Sequence, residues 1–119
     1  VLKMPKERKK MLKGIISLMI LKMLYEKPIH GYEINKEISL KIGEELSPGY
    51  VYVLLKVMSN KGLINAKRES NNRGQKLTEY YITDKGIEFL KKHKNVLEKG
   101  RLMIDEILNT INKIEKSNV

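Results

Sequence analysis

The chain has 119 residues, the size of one ordinary domain, and holds 24 Lys plus Arg against 14 Asp plus Glu, a formal charge of +10. An anionic partner is the first to consider, while zero cysteine excludes disulfides, thiol catalysis and thiolate metal sites and fits a reducing, cytoplasmic compartment. The cations are segregated: Lys3, Lys6, Arg8, Lys9, Lys10 and Lys13 oppose only Glu7, and Lys61, Lys67, Arg68, Arg73 and Lys76 oppose only Glu69.

The basic segment 1–11 comes first, and it either touches flanking phosphates or forms an unstructured, solubilising tail. With the following GIISLMILKMLY it has the outline of a secretory signal. Lys22 interrupts the apolar run, however, no small-residue cleavage site follows, and a dozen or so residues fall short of the ~20 that cross a bilayer. No membrane partner is expected. From Leu12 to Tyr25, residues Ile15, Ile16, Met19, Ile20, Met23 and Leu24 fall on one helical face, with Leu18 and Leu21 on a second. Such a helix needs cover on two sides, from the core and from either the C-terminal segment or a second subunit. Pro28 biases Lys27 out of the helical region and ends it.

A second helix within 29–43 repeats Ile34, Ile38 and Ile42 and stops at Gly43. His30 is placed to satisfy a free N–H at its start, and Gly31 to permit close packing. In ELSPGYVYVLLKVMSNKGLI, Ser47 is the expected N-cap, Pro48 the first helical residue and Gly62 the C′ glycine. Val51, Leu54, Leu55 and Met58 form the buried stripe, leaving Gly49, Tyr50, Tyr52, Val53, Lys56 and Asn60 outward or flanking. Residues 63–82 read as a two-stranded hairpin with an apolar base and a polar, basic tip at 70–74. Thr83 or Asp84 then caps a long final helix to about Lys116, with Leu90, Leu97, Ile104 and Ile111 at seven-residue intervals and Ile107 and Ile114 at the following d-type positions. Gly100, costing roughly 1 kcal/mol relative to Ala, is the place where that helix is expected to bend or break.

Three helices, a hairpin and a helix make a mainly α chain with a small β-hairpin, the order of a winged helix-turn-helix (α-α-α-β-β-α). The domain would span 12–83, with 84–119 as a dimerisation helix. On the third helix, tyrosine hydroxyls reach phosphate or sugar, Lys56 neutralises phosphate or reaches guanine, and the helix N-terminus attracts phosphate. The open face is therefore a docking face for double-stranded DNA.

HGYEI at 30–34, LSPGYVY at 46–52, KGLI at 61–64 and EYYITDKG at 79–86, with LKG at 12–14, resemble the successive signatures of the PadR family of transcriptional regulators. The likeness covers residues 12 to about 90, and the short C-terminal region is similar to the compact branch with a single dimerising helix. It implies a homodimeric winged helix on operator DNA, usually a repressor, whose recognition helix begins at Ser47-Pro48-Gly49. It also implies that Tyr52 contacts the DNA backbone and that Lys56 stands where Arg or Lys is common. Val53, the Val57–Asn60 stretch and Asn71 and Asn72 beside the wing cations depart from the family pattern, which puts the operator sequence in doubt and not the fold.

The DNA-contacting set is therefore Ser47, Gly49, Tyr50, Tyr52, Lys56, Arg73 and Lys76. Plainer readings stand beside it: Tyr52 packs its ring on the second helix with its hydroxyl exposed, Asn60 contacts nothing, and Arg73 and Lys76 sit in a solvated loop. The dimer seam is Leu90, Leu97, Ile104, Ile107 and Ile111, with His93 a buried polar residue of the seam or a pH-sensitive group. Some family members release DNA when a small aromatic or cationic compound enters between the first and last helices; here Met19, Met23 and Phe89, with Tyr25 and Met103, are the candidates, and plain core is the alternative. One histidine per region without a carboxylate at ligand spacing argues against a metal, and no cofactor or catalytic residue is expected. The rival functions are a weakly specific chromatin-type DNA binder and a protein–protein adaptor.

Overall fold

The computed structural model describes residues 6–117. Lys3 and the other residues of 1–5 in the basic segment lie outside them. Helix α1 runs Lys6–Glu26, strand β1 Ile29–His30, α2 Gly31–Ile42, α3 Pro48–Asn60, β2 Ile64–Ser70, β3 Lys76–Ile82, α4 Asp84–Lys92 and α5 Lys94–Ser117.

Helix α1 starts at Lys6, ahead of the expected Leu12, so the basic residues from Lys6 onward are helical, and Arg8 reaches Glu44 at 3.2 Å. Ile16, Ile20, Leu21, Met23 and Leu24 are buried, whereas Ile15 is 45% exposed. The buried face is thus rotated from the expected one: Leu21 joins the core and Ile15 leaves it. Pro28 ends α1 as its steric demand requires, and the extended backbone it enforces continues into β1.

That strand corrects the two-stranded expectation. The sheet has three antiparallel strands in the order β1-β3-β2, with Ile29 opposite Tyr80 and His30 opposite Glu79. His30 is the N-cap of α2 by position only: its side chain makes no capping bond and its Nδ1 lies 3.2 Å from Glu33 Oε1 instead.

Helix α2 ends at Gly43 in the left-handed conformation (φ 75°). Helix α3 closes by a complete Schellman motif, in which Leu63 N–H donates to Met58 O and Gly62 N–H to Ser59 O, each at 3.0 Å, with Gly62 at φ 76°. Its buried stripe is the expected Val51, Leu54, Leu55 and Met58. These meet Ile20, Leu21, Ile34, Ile38, Leu46 and Ile64 in one core roofed by Tyr80.

Thr83 caps α4. Its Oγ1 accepts from Gly86 N–H at 3.0 Å and lies 2.7 Å from Gly62 O and 3.0 Å from Leu63 O as donor, tying the end of α3 to the start of α4. The final helix breaks at His93 and runs unbroken through Gly100, the reverse of the expectation. His93 N–H turns to Leu90 O at 3.2 Å, while its ring Nδ1, 2.8 Å from Phe89 O, takes over the carbonyl that a continuing α-helix would have given to the backbone. Gly100 costs propensity but removes no hydrogen bond.

Candidate nucleic-acid interface

The first turn of α3 is set by Ser47, whose extended backbone (φ −62°, ψ 139°) starts the helix although its hydroxyl makes no cap bond. Ser47 is half-buried and Gly49 exposed. Tyr50 packs partly against the core, and burial pushes its hydroxyl pKa upward. Tyr52 stays 42% exposed, but its ring lies over the N-terminus of α2: a Cβ on Gly31 would stand 2.7 Å from Tyr52 Cε1 and 3.0 Å from its hydroxyl. Gly31 therefore makes the seat in which Tyr52 rests, and the two expectations for these residues are one arrangement. Lys56 and Asn60 are exposed one and two turns further on. Between them Val53 (61%) and Val57 (40%) put apolar surface on the same open side.

The hairpin tip is organised by Asn71. Its Oδ1 accepts from Arg73 N–H and Gln75 N–H, both at 2.9 Å, and its Nδ2 donates to Gln75 Oε1 at 2.8 Å, while Gly74 supplies the left-handed residue at φ 76°. This asparagine, noted in the sequence only as a departure, holds the turn that presents Arg73. Arg73 and Lys76 are exposed, and so are Lys67 and Arg68 on β2. Arg68 and Lys76 line one shallow depression with Glu69 and Ser70. Arg68 thus belongs to the basic wing surface; its place in the Lys61–Lys76 cation cluster was the available signal.

The apolar residues assigned to dimerisation divide at the His93 break. Leu90, on α4, packs against the core of its own chain. Leu97, Ile104, Ile107 and Ile111 are 43–58% exposed along α5, which buries none of its residues. Val96, Leu102, Met103, Leu108 and Ile114 widen the stripe.

The residues suggested for an effector do not share one space. Met23 is core (4% exposed) and Met19 half-buried, while Tyr25 and Met103 face outward. Phe89 does line a cavity of about 310 Å³, between Lys13, Ser17 and Leu18 of α1, Leu54 of α3, Lys61 at the C-cap of α3, and His93. His93 packs its ring on Phe89 at 4.6 Å. Among the described residues no helix is long and apolar enough to cross a membrane.

Residues 20–92 match the sequence profile of the Transcriptional regulator PadR-like family. A protein of Thermoplasma acidophilum described as a transcriptional regulator is 41% identical, superposes with a TM-score of 0.79, and aligns over 84% of this chain and 96% of its own. A PadR-like transcriptional regulator of Bacillus cereus is 29% identical with a TM-score of 0.71, over 83% of this chain and 96% of its own. At 21% identity, Bacillus subtilis PadR in complex with operator DNA shares the fold (TM-score 0.59) over 66% of this chain and 46% of its own. No curated protein matches the chain.

Proposed function

The chain belongs to the Transcriptional regulator PadR-like family, and on that premise we propose that it is a homodimeric, sequence-specific repressor that binds a pseudo-palindromic operator in the cytoplasm. The carrying observation is the pairing of an α3 whose outward face shows Tyr52, Val53 and Lys56 with an ordered, basic hairpin tip at Arg73 and Lys76. The helix enters a major groove, where Lys56 meets phosphate or guanine and Val53 meets thymine methyl groups. Tyr52, held on Gly31, donates its hydroxyl to the backbone, and the wing follows flanking phosphates. Bacillus subtilis PadR on its operator supports this use of the fold. Effector control, as a second element of the reading, rests on the cavity of about 310 Å³ that contains Phe89. Its lining carries Lys13, Lys61 and His93 and no carboxylate, which suits a neutral or anionic aromatic compound better than a cationic one.

Competition of DNA from upstream of the protein's own gene against a scrambled duplex tests the proposal at ~150 mM salt, where non-specific affinity is weak. A preference of at least ~10³-fold for a genomic fragment, from this source or from genome-wide selection, is the expected result. Equal affinity for all duplexes would leave a charge-driven chromatin-type binder in its place.

A further inference from the structure

The outer face of the sheet gathers a group of ligands that the DNA-binding reading does not use. Strand side chains alternate between faces. With Ile29, Ile64 and Tyr80 turned into the core, His30, Glu69 and Glu79 fall on the opposite face, one from each strand. His30 stands directly across from Glu79, and Glu69 lies two residues along β2 from Glu79's other partner, Lys67. A ring nitrogen of His30 and one carboxylate oxygen from each glutamate all lie within 4.8 Å of one another.

We propose that His30, Glu69 and Glu79 form a binding site for a divalent first-row transition metal ion, which would clasp β1 to the wing hairpin. Zinc holds imidazole nitrogen and carboxylate oxygen at about 2.0–2.2 Å, so its ligand atoms stand about 3–3.5 Å apart. A set already within 4.8 Å needs only about 1–2 Å of further closure to reach that spacing. The supporting groups are also in place. Glu33 Oε1, 3.2 Å from His30 Nδ1, favours the proton on that nitrogen and leaves the lone pair on Nε2, as outer-shell carboxylates do for metal-bound histidines. The Tyr81 hydroxyl donates to Glu79 Oε1, fixing that carboxylate and leaving its other oxygen for the ion.

Charge favours a cation there too. In a chain of net +10, Glu69 and Glu79 form no ion pair with lysine or arginine among the described residues, although Lys67 is the register partner of Glu79. One imidazole and two carboxylates without thiolate select ions such as Zn²⁺, Co²⁺, Ni²⁺ or Mn²⁺ over Cu⁺. Three protein ligands leave the remaining positions to water. The sequence hid this set because its members lie far apart along the chain and meet only through strand register.

Titration of tag-free protein with Zn²⁺ against a chromophoric chelator tests the site, with Co²⁺ absorption reporting the ligand set. The expected result is one ion per chain, affinity at least ~10-fold weaker in His30→Ala, Glu69→Gln and Glu79→Gln, and unchanged affinity in His93→Gln, which removes the other histidine. Zinc should also raise the thermal midpoint of the wild type and not of Glu79→Gln, a surface change that leaves the core intact. Absence of zinc binding, or binding unaffected by all three ligand substitutions, would overturn the proposal. Zinc is read here without DNA, so this site and the operator reading fail separately.

Discussion

At the scale of single residues, two glycines set the geometry on which the rest depends. A Cβ on Gly86 would stand 2.2 Å from Leu63 O, a backbone atom held by Thr83 N–H at 3.1 Å. Neither side has a flexible end to yield. Gly86→Ala should therefore destabilise the fold by roughly 2–4 kcal/mol, at or above the usual cost of overpacking. It is read as a lower urea midpoint at unchanged slope; a midpoint equal to wild type would mean that α4 shifts freely away from Leu63. Gly31 differs, because the clashing atoms belong to the Tyr52 ring, which can rotate away into solvent. Gly31→Ala should leave the urea midpoint within about 1 kcal/mol of wild type, yet weaken operator binding as much as Tyr52→Ala does. Wild-type affinity in Gly31→Ala would show that Tyr52 is a packing residue and nothing more. HGYEI and EYYITDKG were legible as motifs, and close packing was legible as the reason for Gly31, but the reason for Gly86 was not, because its crowding atom, Leu63 O, comes from another part of the chain.

Among the elements, legibility followed local punctuation. Helix α3 carries its own start and both α2 and α3 their own stops: Pro48, Gly43 and Gly62 act as expected, whereas the side-chain cap expected from His30 does not form. Strand β1 has two residues, too few to show alternation, and exists because β3 offers it an edge. The His93 break was missed for a related reason: the side chain that replaces the helical bond belongs to a residue that by spacing alone fits the seam. The wing illustrates the converse, since Asn71 is polar loop composition in the sequence and the organiser of the turn in space. Asn71→Ala removes three side-chain hydrogen bonds at the tip. Because that tip is exposed, the loss in global stability should stay near or below ~1 kcal/mol. The amides of Arg73 and Gln75 should exchange much faster, and operator affinity should fall toward that of Arg73→Ala. Unchanged exchange at both amides would show that the backbone bonds of Asn71 and Gln75 suffice.

The molecule as a whole is 59 Å in its longest direction and only 21 Å in its shortest, with an α5 whose apolar stripe its own chain leaves uncovered. A contiguous exposed strip of Leu97, Met103, Ile104, Ile107, Leu108, Ile111 and Ile114 is unusual for a monomer, and a second copy is the cover that the two-fold operator reading requires. Ile104→Glu combined with Ile111→Glu should convert a micromolar dimer to monomer in sedimentation analysis, with the winged-helix core still folded because these side chains touch none of it. A pair of charges that left the dimer intact would move the interface elsewhere. In the proposed dimer, pairing through α5 would fix the spacing of the two recognition helices, and so the helical phase of the half-sites, which in a rigid two-fold reader lie one turn of ~34 Å apart or a multiple of it. Inserting about 5 base pairs between half-sites puts them on opposite faces of the duplex and should reduce affinity to that of a single half-site, whereas shortening either flank by the same length should not. Equal tolerance of the insertion would mean that α5 joins the two domains without orienting them, and that each wing and recognition helix reads DNA on its own.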